Sequence, residues 1–294
     1  MKIGIDLGGS HIAIGVVDKE GRILEKIEKR LTKVEKQNIK KSIEKYIIEQ
    51  VNIFQQKYKI EEIGIGTPGI VKDGVILTGG NLCIENYNIV ERLQKNIKLP
   101  IKLRNDAKCA ALAEKKYGCL KEHENRSLFL TLGTGIGGAI LFNDNVLGVN
   151  NECSCELGHM VIHNHGIPCH CGREGCFERY ASMKALKNNL RKSLSLDETT
   201  RGQELLEMIR ENRPEKENYE VIENTLTEYI ENLSLGIDNL IRILDPERIG
   251  IGGSFVYFED VLLERLEKAL TFKTKVIIQT AILGNEAGII GAVL

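Results

Sequence analysis

Two segments of the chain repeat one pattern, a strand, a glycine-rich turn and a second strand. Residues 2–7 read as a strand running into Gly8-Gly9, and Ile12 to Val17 read as the strand that leaves the turn. Leu128 to Leu132 enter the loop Gly133-Thr134-Gly135-Ile136-Gly137-Gly138, and Ala139 to Phe142 leave it. Glycine at a strand end lets backbone approach a ligand's phosphate oxygens closely. Turn geometry alone does not call for four glycines and a threonine so close together. A chain of 294 residues also exceeds the usual size of one core, so two lobes are expected.

The second loop matches neither common nucleotide fingerprint. No Gly-Lys-Ser/Thr follows it. Gly133, Gly135 and Gly138 fit G-x-G-x-x-G, but a strand follows where a dinucleotide fold needs a helix.

The remaining pattern alternates strands and helices. Asp18 to Gly21 is a turn, and Ile23 to Ile27 a third strand. Helical spacing of Ile39, Ile43, Ile47, Val51 and Phe54 predicts a helix over 36–58. A short buried strand, Ile63 to Gly66, ends in Thr67-Pro68-Gly69. A helix around Val90 to Gln94, a strand Pro100 to Leu103 and a helix Ala107 to Tyr117 follow, the last stopped by Gly118. Beyond the second loop come a Cys/His-rich insertion over 150–178 and a mostly helical stretch over 183–245, broken at Glu211 to Glu217. A strand, Arg248 to Ile251, ends in Gly252-Gly253-Ser254, and a final helix starts near Glu286.

Apolar residues make up 42%, enough for sizeable cores, and 40 Lys plus Arg nearly balance 41 Asp plus Glu. That balance points to neither nucleic acid nor an anionic membrane as a partner. No apolar run reaches the roughly 18 residues a membrane span needs. Asp6 interrupts the N-terminal apolar stretch too early for a signal peptide. The expected location is therefore the cytoplasm, where eight cysteines are a poor disulfide framework.

Five of those cysteines lie within 153–176. The spacing His159-x9-Cys169-x-Cys171-x4-Cys176 suits a tetrahedral structural zinc site. His163, His165, His170, Cys153 and Cys155 are rival ligands, and spacing does not choose among them. Glu156 and Glu178 tie carboxylates to the ends of this insertion, where they suit paired hydrogen bonds to vicinal sugar hydroxyls. Asp6, just before Gly8-Gly9-Ser10, suits a magnesium ion held through water. Asp106, in Arg104-Asn105-Asp106-Ala107, has two readings: a cap for the helix that follows, or a general base that takes a proton from a sugar hydroxyl.

Taken together, Asp6-Leu7-Gly8-Gly9, Asn105-Asp106-Ala107, Gly133 to Gly138, Glu156-Leu157-Gly158-His159 and Cys169 to Glu178 resemble the ROK family of bacterial sugar kinases and sugar-responsive repressors. The resemblance continues through Ile251-Gly252-Gly253-Ser254 and Leu283 to Ala292 and spans nearly the whole chain. It implies an α/β, actin/hexokinase-like (ribonuclease H-like) fold of two lobes with an inserted zinc-binding loop. The smaller lobe would take residues 1–118, with a C-terminal helix at about 285–294 packing back on it; the larger would take 119–284, with the zinc loop at 153–178.

The same resemblance implies an ATP-dependent hexose 6-phosphotransferase, most simply a glucokinase, with an N-acetylmannosamine kinase or another aldohexose or fructose kinase as close variants. Asp106 would be the base on the 6-hydroxyl. Asn81, Asn105, Glu156, His159 and Glu178 would hold the sugar. Asp6, Gly8, Gly9, Ser10, Gly133, Thr134, Gly135 and Gly137 would serve the phosphates and their magnesium, and Gly252 and Gly253 the adenosine. The zinc ligands would be His159, Cys169, Cys171 and Cys176. Homodimers are frequent in the family. Its repressors carry a helix-turn-helix ahead of the Asp-x-Gly-Gly turn; here that turn begins at residue 6, so the kinase is expected over the regulator. A zinc-stabilised interaction module without catalysis leaves the two phosphate-type loops unexplained. Departures from the family pattern are Ser10 in place of threonine, His11, the absence of tryptophan after Asn81-Leu82, and Cys153 and Cys155. They bear on which sugar is used.

Overall fold

The computed structural model describes residues 1–9, 11–121, 125–147, 156–271 and 276–294, and the backbone alone of Asn81. Ser10, Cys153 and Cys155 lie outside the described residues, as does the Asn81 side chain. The chain divides into two compact units. Unit 1 comprises Met1–Glu122, Asp144–Ser154 and Ile282–Leu294; unit 2 comprises His123–Asn143 and Cys155–Ala281.

Unit 1 opens with the meander β1 (Lys2–Leu7), β2 (His11–Val17) and β3 (Ile23–Arg30). β1 is buried along most of its length, whereas β3 alternates and sits at the edge. Helix α1 (Lys33–Gln37) starts on a capping box between Thr32 and Glu35. Helix α2 (Ile39–Lys57) buries Ile39, Ile43, Ile47, Val51 and Phe54, the five residues picked out by their spacing. The single helix expected over 36–58 is thus two, because Asn38 leaves helical geometry at φ −122°, ψ 43°. Strands β4 (Glu62–Thr67) and β8 (Ile101–Asn105) complete a sheet of order β3-β2-β1-β4-β8, in which β1, β4 and β8 are parallel.

Between β4 and β8 lies a feature that the sequence did not announce. Strands β5 (Ile70–Lys72), β6 (Val75–Thr78) and β7 (Glu85–Asn88) form a small antiparallel sheet. Each has only three or four residues, too few to establish an alternating pattern. Helix α3 (Ile89–Gln94) leads to β8, and α4 (Asp106–Tyr117) follows it.

Helix α10 (Ala287–Ala292) seals the other face of this sheet. Its backbone comes so near that a Cβ on Gly4 would lie 2.0 Å from the Ile289 carbonyl oxygen, and one on Gly64 1.9 Å from that of Ala292. Glycine is the residue that admits such contact. Two cations meet carbonyls at the end of the helix: Lys2 Nζ donates to Val293 O at 2.8 Å and Arg104 Nη1 to Ala292 O at 3.2 Å. Upstream, the fully buried Glu114 takes the N–H groups of Leu283 and Cys119, each at 2.8 Å.

Unit 2 repeats the scheme. Strands β9 (Arg126–Leu132) and β10 (Ile136–Phe142) form the second glycine-turn hairpin. A two-residue strand, β11 (Asn145–Val146), comes next in the chain and belongs to unit 1. Helices α5 (Glu178–Ala181), α6 (Met183–Ser193), α7 (Gly202–Arg210) and α8 (Tyr219–Leu244) supply the helical stretch. Strands β12 (Arg248–Gly253) and β13 (Ile277–Thr280) run parallel to β9, in the order β10-β9-β12-β13. α9 (Glu259–Ala269) and β13 were not read from the sequence, nor was the break between α6 and α7. Leu128, Leu130, Phe177, Leu226, Tyr229, Leu233 and Phe255 sit at the centre of this unit's core.

Each unit therefore has three parallel strands, whose carboxyl ends carry the glycine turns and acids singled out above. In unit 1, Asp6 is in register with Gly66, and Thr67 with Asn105. In unit 2, Gly253 is in register with Leu132, the last residue before Gly133. The carboxyl edge of parallel strands is where α/β sheets bind ligands. No helix among the described residues is long and apolar enough to cross a membrane.

Candidate functional site

In unit 1 the site residues sit at the ends of β1 and β8. The Asp6 side chain is 22% exposed, with Oδ2 4.0 Å from His11 Nε2. Burial pushes its carboxyl up from the usual range, against the pull of His11 and Lys26. The Gly8 N–H donates to His11 O at 2.9 Å, and a Cβ on Gly8 would lie 2.6 Å from the His11 ring. The turn is thus held by the histidine that departs from the family pattern.

Asn105, not Asp106, caps α4. Its Oδ1 accepts from the Lys108 N–H at 3.2 Å, and its Nδ2 donates to Gly69 O at 3.0 Å. The capping role raised for Asp106 therefore falls to its neighbour. Asp106 is the first residue of the helix, with Oδ1 2.7 Å from the Ala107 N–H, at the positive end of the helix dipole. Asn105 retains one amide hydrogen and one lone pair for a further partner. Asn81 lies in a short 3-10 turn, Gly80–Leu82.

Unit 2 gathers the metal-type ligands. One donor atom each from His159, Cys169, Cys171 and Cys176 falls within 4.8 Å of all the others. Cys169 Sγ is 3.5 Å from His159 Nδ1, and Cys171 Sγ is 3.5 Å from Cys176 Sγ. Tetrahedral zinc, with bonds of about 2.3 Å to sulfur and 2.0 Å to nitrogen, needs donor separations of about 3.5–3.8 Å. The four residues fit such an ion. Two backbone bridges, Val161 with Cys176 and Pro168 with Glu174, fold the loop around them. The Cys169 N–H donates to Arg173 O at 2.8 Å. Gly175, at φ 75°, leaves no room for a side chain, since a Cβ would lie 1.6 Å from His163 O. Burial raises Cys176 to about 12. Burial also opposes ionisation of Cys171, but the Arg173 amide and the neighbouring thiols outweigh it and bring that thiol down to about 7.

The rival ligands divide. His163 turns away to Asn232 Oδ1 and packs on Tyr180, ring centroids 4.5 Å apart. His165 joins no donor cluster among the described residues. His170 stays close, with its ring 5.1 Å from that of His159 and its Nδ1 3.4 Å from Glu178 Oε1.

Glu178 links this centre to the glycine loop. Its Oε1 lies 3.7 Å from Cys169 Sγ and 4.0 Å from His159 Nδ1, while Oε2 accepts the Ile136 N–H at 3.3 Å. Glu156 opens the 3-10 turn Leu157–His159, with its carbonyl accepting the His159 N–H at 3.0 Å and its side chain exposed. The loop itself is closed by the Gly133 N–H on Gly135 O, and tied to α6 by the Lys184 N–H on Gly133 O, both at 3.0 Å. Gly253, at φ 75°, passes so close to β9 that a Cβ would lie 2.5 Å from Leu132 O. Sequence reasoning missed Arg173, whose guanidinium donates to His159 O, and the Ile136 amide. Neither carries a signal in spacing.

The order of these parts along the chain is that of one family, whose model matches residues 2–294. The chain belongs to the ROK family. Glucokinase of Streptomyces coelicolor is 28% identical over 312 residues, covering 99% of this chain and 96% of that one. The crystal structure of a ROK glucokinase from Streptomyces griseus, in complex with glucose and AMPPNP, superposes with a TM-score of 0.81 at 26% identity. It covers 99% of this chain and 97% of that one. A xylose repressor of Caldicellulosiruptor bescii is 28% identical over 277 residues, 91% of this chain and 69% of the repressor. The fold is accordingly the actin/hexokinase-like α/β fold of ROK sugar kinases.

Proposed function

We propose that this ROK protein transfers the γ-phosphoryl group of ATP to the 6-hydroxyl of a hexose, with glucose the first candidate. The observation that carries the reading is the position of Asp106. It stands at the carboxyl end of β8 in the first turn of α4, while Asn105 does the capping. A carboxylate at the ligand-binding edge of a parallel sheet is placed to take a proton from a bound hydroxyl.

In this reading the 6-hydroxyl oxygen bonds to the γ-phosphorus as the bond to the ADP oxygen breaks, and the hydroxyl proton passes to Asp106. Asn81, Asn105, Glu156, His159 and Glu178 would hold the sugar; Asp6, Gly8, Gly9, Ser10, Gly133, Thr134, Gly135 and Gly137 would serve the phosphates, and Gly252 and Gly253 the adenosine. Magnesium bound with ATP, near Asp6 through water, would offset phosphate charge. Zinc on His159, Cys169, Cys171 and Cys176 would hold the loop that carries Glu178, and would fix the tautomer of His159.

The glucokinases matched along 99% of the chain support the kinase class. The repressor relative supports a second reading, a sugar-binding regulator. ADP release from Mg-ATP against glucose, mannose, allose, fructose, N-acetylglucosamine and N-acetylmannosamine separates the two. Turnover on one sugar, lost by about 10²-fold or more in Asp106→Asn, is the expected result. A folded, zinc-loaded protein that binds a sugar and turns over none would favour the regulator.

A further inference from the structure

Lys187 is a half-buried lysine on α6 with no carboxylate paired to it among the described residues. Its Nζ is 3.5 Å from Ser254 Oγ, the first side chain after the Gly252-Gly253 turn. It also lies over the Phe258 ring, 5.4 Å from the centroid. Gly202 backs its stem closely, since a Cβ there would come within 3.0 Å of Lys187 Cε. Burial and the charge of Arg191 lower its pKa from the ordinary lysine value.

A partly desolvated cation without an anion gains from a ligand that supplies one. The surroundings identify that ligand's chemistry. Three residues earlier on the same helix, the Lys184 N–H holds the Gly133 carbonyl of the glycine loop. One helical turn, about 5 Å, therefore separates the glycine loop's attachment from Lys187, a span comparable with a diphosphate. Gly253 carries no side chain to obstruct an approach along the turn, and the Ser254 hydroxyl offers a second hydrogen bond.

We infer that Lys187 is a nucleotide-binding residue whose ammonium holds the α-phosphate, the group that is not transferred, at the Gly252-Gly253-Ser254 turn. The inference rests on the kinase reading, in which the Gly133 loop takes the reacting phosphates. A lysine in this role tightens nucleotide binding and leaves the chemical step unchanged.

The test is calorimetric titration of the zinc-loaded full chain with AMP and with adenosine, in wild type, Lys187→Met and Lys187→Arg. The charge-assisted contact predicts that Lys187→Met loses roughly tenfold or more in AMP affinity and keeps its adenosine affinity. Lys187→Arg should retain most of the AMP affinity. In turnover assays the Met variant should raise the KM for ATP with kcat little changed. An unaltered AMP-to-adenosine ratio in Lys187→Met overturns the inference and leaves the kinase reading standing. A wild type that binds neither ATP nor AMP overturns both. If Lys187→Met does not fold, Lys187→Gln is measured in its place against the same two outcomes.

Discussion

Glu178 Oε2 accepts the backbone N–H of Ile136 at 3.3 Å, so the carboxylate beside the cysteine cluster is aimed by the glycine loop. The loop in turn depends on the absence of a side chain at Gly135, where a Cβ would lie 2.5 Å from the same Oε2.

Gly135→Ala should therefore push the Glu178 carboxylate off the Ile136 amide without touching the cysteines. If Glu178 holds a sugar hydroxyl, kcat/KM for the sugar falls by roughly ten- to a hundredfold, the cost of a misplaced binding group. Zinc content stays at the wild-type level. Steady-state kinetics alongside metal analysis check this; full kinetics in Gly135→Ala would remove Glu178 from the sugar site.

Cys171→Ser should lower zinc content and melting temperature together. Structural zinc stabilises the loop that holds it, and three of four ligands bind it more weakly. Metal analysis and thermal melts, with and without a chelator, read the effect. A variant that still binds one zinc per chain after dialysis would exclude Cys171 as a ligand.

Much of this arrangement can be read from the chain. The five apolar residues of α2 declare themselves by spacing, because a helix's buried stripe recurs every three or four residues. The histidine and three cysteines lie close in sequence, so their meeting in space is a local event. The three-residue β5 shows no such period. The choice between Asn105 and Asp106 as the cap turns on a one-residue shift in where helical geometry begins. The Glu178–Ile136 contact joins residues 42 apart, and the pairing of Gly64 with Ala292 joins opposite ends of unit 1. No local pattern reports contacts of that kind.

Gly64→Ala should destabilise unit 1 severely. The new methyl would sit 1.9 Å from a backbone oxygen, so α10 must move and expose Ile289 and Val293, both buried against the sheet. A loss of about 3 kcal/mol or more is expected, the upper range for overpacking against a partner that cannot rotate away. Denaturant unfolding measures it. A change under about 1 kcal/mol would mean that α10 yields easily.

Asp6→Asn should stabilise the fold at neutral pH. Burial raises the folded-state pKa of Asp6 above its unfolded value. Its contribution to stability is complete below the unfolded value near 3.8 and is lost as pH rises through the raised folded value. At neutral pH the ionised carboxylate opposes folding, and the amide removes that penalty. Melting temperatures of the two proteins should differ most near pH 7–8 and converge toward about pH 4. A gap that stays constant with pH would mean that Asp6 keeps an ordinary pKa.

The packing of α10 has a consequence for how the protein is made. Unit 1 is assembled from residues 1–122 and 282–294, together with a short middle segment. A chain leaving the ribosome can pair β1, β2, β3, β4 and β8 early, but the face that meets Ile289 at Gly4 and Ala292 at Gly64 stays open until residues 282–294 emerge. All of unit 2 is synthesised in that interval. The first unit to begin folding is thus the last to finish, and its bare glycine-lined face is the surface through which a nascent or truncated chain is most exposed to aggregation.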